Sequence, residues 1–266
     1  MILPKIIPLL KENTYWFFRI VLLFAFVGHG LVNLGLSSGV ELHVKIIKSF
    51  HFLDACDPYQ IAKCFAVLDF LFAIGIILRP SKIIVIAAIA YLFIVGFAVW
   101  NLFFTVKDSP FGIAENMRRF PWIFYLLYMY YVSQKNVHKY HFLRIGISFA
   151  FLAHGAASLG LLGFNGGHIE LAAQVVPADK VKDFVFYSGI SDSILGMMLI
   201  TGIGSRVAAY IGIPWLIFVV ALSFGIGIPE GIFRSGFLLS LAYVAIDKRC
   251  HEKTVLQLFK KQNKQA

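Results

Sequence analysis

Four ionisable side chains, His29, Asp69, His154 and Asp192, lie inside long apolar runs, where a water-soluble protein would rarely put them. His29 follows Arg19 by ten residues and Asp69 precedes Arg79 by ten; His154 follows Arg144 by ten and Asp192 precedes Gly202 by ten. At ~1.5 Å of helix per residue each is ~15 Å from the boundary marked by Arg19 and its counterparts, near the midplane of a ~30 Å apolar core. A carboxylate there costs about 2.5–3.5 kcal/mol on insertion scales, so it needs a partner or a wet cavity. The His of the preceding helix is the natural partner. A His–Asp hydrogen bond orients the imidazole and favours its protonated form, which suits proton relay, quinone hydrogen bonding, or support of a metal or haem ligand. The same pair could instead simply tie two helices together. Asn33 and Ser158, one helical turn past the two histidines, complete the candidate set.

A second group of charges is spaced for ion pairing. Glu115 with Arg119 and Glu230 with Arg234 are i, i+4 pairs, able to close on one helical face at a membrane interface. They either anchor the helix ends or form a mouth for an anionic or quinone headgroup. Arg19 and Arg144 read as cations snorkelling to the cytoplasmic boundary, and Gly28, Gly30 and Gly155 as points of close helix approach. Three cysteines, Cys56, Cys64 and Cys250 in the tail, form no framework, and His138 and His141 sit among Lys135, Lys139 and Tyr140 as solvated loop residues; no metal site is expected. A P-loop, a dinucleotide glycine fingerprint, CxxC, HExxH and GxSxG are all missing, against a nucleotide-driven pump or a protease.

These residues must be carried by membrane helices. Of 266 residues 59% are hydrophobic and 14% charged, with 27 Phe, 11 Tyr, 4 Trp and a mean hydropathy of +0.79, far from the quarter charged that soluble domains usually carry. The net charge of +10 lies between apolar runs rather than on one patch, so anionic lipid, not nucleic acid, is its partner. Apolar segments near 15–36, 60–79, 83–106, 116–134, 142–163, 184–203, 206–226 and 230–247 predict an all-α polytopic membrane protein with eight crossings. Fifteen Lys and Arg fall on the side of the termini and nine on the other, which puts both termini in the cytoplasm of a plasma (inner) membrane protein. No cleavable signal is expected ahead of the first segment.

The chain also repeats itself. FRIVLLFAFVGHGLVNLGL (18–36) aligns without a gap to LRIGISFAFLAHGAASLGL (143–161), 125 residues on, matching Arg19 with Arg144, His29 with His154, Asn33 with Ser158 and Gly35 with Gly160. VEL (40–42) or IEL (169–171) follows, then a helix with one central acid, and GIAENMRR (112–119) matches GIPEGIFR (227–234). Four crossings return the chain to its starting side, so the expectation is two parallel four-helix repeats, 1–134 and 135–266, packed as one body.

An Arg opening helix 1, a Gly about eleven residues later, an acid in helix 2 and a basic residue closing it resemble the DoxX-like superfamily, including the DoxD-type small subunit of thiosulfate:quinone oxidoreductase. The resemblance spans almost all of each half. It departs where a Lys often follows the helix-1 Gly, replaced here by Asn33 and Ser158, and where a frequent Glu is Asp69 or Asp192. It implies a scaffold found with quinone redox chemistry, with thiol and oxidant stress systems, or with chaperone and cargo roles. Two functions follow. One is a redox-associated subunit holding a quinone-like ligand, or as second choice a bis-imidazole haem, between His29 and His154, with a redox partner protein. The other is a non-catalytic small-solute transporter or membrane chaperone. They differ in whether the His and Asp side chains face a cavity or a dry contact.

Overall fold

Each of the eight apolar runs holds a helix in the computed structural model, which describes residues 13–37, 39–50, 53, 55–105, 116–131, 139–161 and 166–252. The long helices are α1 (Thr14–Asn33), α3 (Pro58–Leu78), α4 (Lys82–Thr105), α5 (Phe120–Tyr131), α6 (Lys139–Ser158), α8 (Val181–Thr201), α9 (Ser205–Ile226) and α10 (Ile228–Ile246). Two short helices, α2 (Val40–Lys48) and α7 (Gly166–Ala172), lie in connections that had been read only as short segments.

Local chemistry sets the ends. Asp57 accepts the Tyr59 amide at 3.0 Å and Pro58 takes the first position of α3, both favourable at a helix start. Gly35 (φ 84°) and Gly160 (φ 70°) adopt the left-handed conformation that glycine alone takes without strain. They stop α1 and α6 in the same way: the Leu36 amide reaches back to the Leu31 carbonyl at 3.2 Å, and the Leu161 amide to Ala156 at 3.0 Å.

The helices sort into two layers. α1, α5, α6 and α10 form the centre, with α1 against α10 and α5 against α6 as the main pairings, so the fourth helix of each half packs on the first helix of the other. α3 lies on α1 and α8 on α6; α4 and α9 complete the outside. The outer four carry most of the exposed large apolar residues, such as Leu71 and Leu78 on α3, Phe97 on α4, Tyr187 on α8 and Ile211 on α9. Such continuous apolar cover fits lipid rather than water. Five helices, α1, α3, α4, α8 and α9, are long and apolar enough to cross a bilayer. Eight such crossings had been expected. α5 has only 12 residues, while α6 and α10 carry Arg144, His154, Glu230 and Arg234. Shielded by neighbours, a central helix does not have to be apolar all round.

Arg19 and Arg144 do not snorkel outward as expected. Both are at most 4% exposed, and each donates into the last turn of the helix beside it: Arg19 Nε to the Ile76 carbonyl and Arg144 Nη1 to the Leu199 carbonyl, each at 2.8 Å. A cation among the unpaired carbonyls of a helix C-terminus is favourable, which explains how the apolar interior tolerates them. Cys250, expected in a loose tail, is fully buried beside a latch in which Arg249 grips Asp247, Tyr243 donates to Asp247 at 2.5 Å, and Arg249 also donates to the Tyr140 hydroxyl at 2.7 Å. Burial pushes the Asp247 carboxyl up, but the hydrogen bonds from Arg249 and Tyr243 outweigh it and hold it below its ordinary value. Burial pushes the Cys250 thiol well up, so it is an inert core residue.

Candidate functional site

α1 stops four residues past His29, about one helical turn, and the space beyond its end is occupied by α2, which packs on α3 and α4. Here His29 Nδ1 lies 2.8 Å from Asp69 Oδ2, and the Asn33 amide donates to the same oxygen at 3.0 Å. Asp69 is fully buried and Asn33 3% exposed. The Asn33 side-chain carbonyl accepts from His43 Nδ1, and the His43 ring lies 4.8 Å from that of His29. Since Asn33 Oδ1 can only accept, His43 Nδ1 carries the hydrogen. The Asp69 carboxylate likewise calls for a hydrogen on His29 Nδ1, leaving His29 Nε2 as an acceptor.

The second half builds a related but different cluster. His154 stacks on His168 of α7, with centroids 4.7 Å apart and planes 25° apart. Arg118 Nη2 donates to His168 Nε2 at 2.6 Å, and His168 Nδ1 is 2.7 Å from Ser158 Oγ. Arginine only donates, so Nδ1 carries the His168 hydrogen and gives it to Ser158. The anticipated His154–Asp192 bond does not form among the described residues: His154 lies flat on a His168 that Arg118 and Ser158 hold, and Asp192 is instead faced by Trp215. Burial, with Arg118 and Arg234 nearby, brings His168 down to about 3, and burial with His29 and Arg119 holds His43 well below its ordinary value. Both short-helix histidines are therefore neutral at neutral pH.

The two clusters open on one cavity of about 550 Å³, bordered by His29, His43 and Asp69 from one half and by His154 and His168 from the other. Arg118 and Arg119, neighbours in the turn before α5, both line it; Arg234, ion-paired to Glu230 at 2.9 Å, lines it as well. The Glu230–Arg234 pair thus forms as expected but borders the cavity. Glu115 lies outside the described residues, and with it the Glu115–Arg119 pairing. Apolar walls come from Phe26, Leu92, Phe233 and Phe237, and Trp122, stacked on Phe237 at 4.4 Å, forms one wall. Toward the termini the central helices close tightly: Phe18, Tyr125, Tyr128 and Tyr243 are all at most 2% exposed.

No protein-family model matches the chain, and comparison with curated proteins and with solved structures finds no match.

His43 and His168 were not singled out from the sequence. The signal was present: they are 125 residues apart, the same interval as His29 to His154. Anchoring the second block on VEL and IEL, 129 residues apart, slid the alignment past them. What the arrangement offers chemically is four imidazoles and several guanidinium groups around a cavity with apolar walls, suited to a ligand with a flat polar head and an apolar body.

Proposed function

We propose that the chain is a DoxX-like integral membrane protein of two parallel four-helix repeats, a redox-associated subunit that holds a quinone-like ligand between them. The observation that carries this reading is the single cavity shared by a histidine pair from each half. A dry scaffold contact would leave no such space, and about 550 Å³ is within the range of ordinary ligand sites. His29, backed by Asp69, accepts a proton from a quinol hydroxyl through Nε2 and, once protonated, donates to a quinone oxygen. The arginines of the cavity, Arg118 and Arg119 among them, offer donors to the opposite oxygen, while Phe26, Phe233 and Phe237 flank the ring.

The repeat is supported by paired details: the glycine stops at Gly35 and Gly160, the Arg-to-carbonyl bonds of Arg19 and Arg144, and the exchange of fourth helices between halves. Eight crossings with both termini cytoplasmic remain the reading that fits four central helices sheathed by four apolar ones. A through-going solute path is disfavoured by the aromatic packing between the cavity and the termini.

The test is purification in mild detergent, mass spectrometry of bound lipid and a visible spectrum. Co-purified quinone, lost in both His29→Ala and His154→Ala, is expected. Quinone that is absent, or that both variants retain, would remove the reading; a Soret band would replace quinone with haem.

A further inference from the structure

Asp192 is 2% exposed and its Oδ1 has no hydrogen-bond partner among the described residues. It borders a second cavity of about 40 Å³, walled also by His154, Ser158, His168, Ser188 and Trp215. That space admits about one water, and the polar groups around it meet the two to four partners that a buried water requires. The polar groups that line the small cavity with the carboxyl can be named element by element. α6 brings His154 and Ser158, α7 brings His168, α9 brings Trp215, and α8 itself adds Ser188. Among the described residues no cation acts on Asp192, whereas Arg118 and Arg234 act on the two imidazoles. A buried carboxylate without a cation is costly, so a proton is the simplest neutralising partner.

His154 and His168 line both cavities and so form the partition between the small one and the main pocket. Both ring nitrogens of His168 are engaged, by Arg118 and Ser158, while His154 contacts His168 through its ring face. We infer that the small cavity is a one-water proton-exchange site, in which a water bridges Asp192 to His154 and passes a proton between the carboxyl and a group bound in the main pocket. In the forward step the carboxyl O–H bond breaks, its proton joins the water, the water gives one of its own to a free imidazole nitrogen of His154, and the ring passes a proton from its other nitrogen to the bound group in the same concerted relay. Carboxylate, neutral imidazole and a protonated bound group result, and no electron changes hands. The identity of that group rests on the quinone reading; the cavity and its proton do not.

Infrared spectra of the full chain in lipid nanodiscs, with no ligand added and with aspartate carboxyls labelled with carbon-13, test the site. The expected result is a carboxylic-acid carbonyl band that shifts with the label, exchanges promptly in heavy water, vanishes in Asp192→Asn and persists in Asp69→Asn. Ser188→Val, which narrows the cavity, should keep the band and slow its exchange at least about tenfold, a barrier increment of about 1.4 kcal/mol. If Asp192→Asn does not fold, the label and Ser188→Val still decide. A missing labelled band across the neutral range, a band that survives Asp192→Asn, or exchange indifferent to Ser188→Val would overturn the proposal. Should the band behave as expected but stay unmoved when a short-chain benzoquinone is added, the water-linked proton stands and the quinone reading falls.

Discussion

The first-half cluster holds one oxygen of its acid between two donors, and the second-half cluster leaves its acid to Trp215 outside the histidine network, although each has a histidine pair and a buried aspartate. Asn33 is long enough to donate to Asp69 while accepting from His43; Ser158, two heavy atoms shorter, reaches His168 and stops. With no amide to hold it in the network, Asp192 faces a small cavity instead. One side chain at one aligned position thus separates an acid held within the histidine network from one that lies outside it.

Helix spacing gives the sharpest contrast between the halves. A Cβ added at Gly155 would stand 2.9 Å from the Ser193 amide nitrogen and 3.0 Å from the Gly189 carbonyl, both backbone atoms on α8. At Gly30 the nearest atoms are 3.1 Å away on the Phe70 ring and 3.2 Å away at Asp69 Cβ, which can give. Gly155→Ala should destabilise by about 2–3 kcal/mol, since two helices must part. Gly30→Ala should stay within about 1 kcal/mol because helix propensity offsets the contact. Thermal unfolding in detergent checks this, and equal losses would mean that the two interfaces are alike.

Removing the acids should also be unequal. Asp69→Leu strands the His29 and Asn33 donors and should cost about 1–3 kcal/mol, whereas Asp69→Asn keeps an acceptor and should cost less. Asp192→Leu strands only the Trp215 indole N–H and should cost less than Asp69→Leu in the same unfolding assay. A large loss at Asp192 would contradict the asymmetry.

Acid should act through the short-helix histidines. His168 is brought to about 3 and His43 is also depressed, so as pH falls below about 6.5 the unfolded chain binds protons that the folded chain refuses. Stability is therefore full above about 6.5 and declines toward 3, by at most about 1.4 kcal/mol per pH unit for each histidine. His168→Gln should flatten the second-half share of that slope. An unchanged slope in unfolding midpoints measured across this interval would mean that His168 is protonated in the folded state.

Much of this organisation was legible in the residues. Apolar run lengths located all eight long helices to within a few residues, and the gapless block around His29 and His154 picked out residues from both halves that border the shared cavity. What escaped was set by contacts at a distance. Nothing in the local pattern says that Arg19 finds a helix-end carbonyl at Ile76 rather than headgroups. Glu230 and Arg234 of α10 read as interface, whereas they border the cavity between the central helices. Short helices such as α7, with seven residues, are too brief for periodicity to announce, and they carry the histidines that complete each cluster.

The smallest effect expected is also the most direct test of how the halves diverged: exchanging Asn33 and Ser158. Asn33→Ser should free Asp69 from one of its two donors and weaken the hold on His43, at a cost of about 0.5–1.5 kcal/mol for the lost hydrogen bonds. Ser158→Asn offers Asp192 an amide donor, but Ser158 Cβ already stands 2.8 Å from where a Gly189 Cβ would lie, so space for the larger side chain must come from the small cavity beside it. Its net effect on stability should fall within about 1 kcal/mol, the gained bond set against crowding. The spectroscopic consequence is larger than the energetic one. A carboxyl that accepts from an amide is favoured as the carboxylate, so the Asp192 carbonyl band should fade in Ser158→Asn. A fading band would tie the proton of Asp192 to this one position; an unchanged band would mean that the backbone, not the side chain, sets the difference.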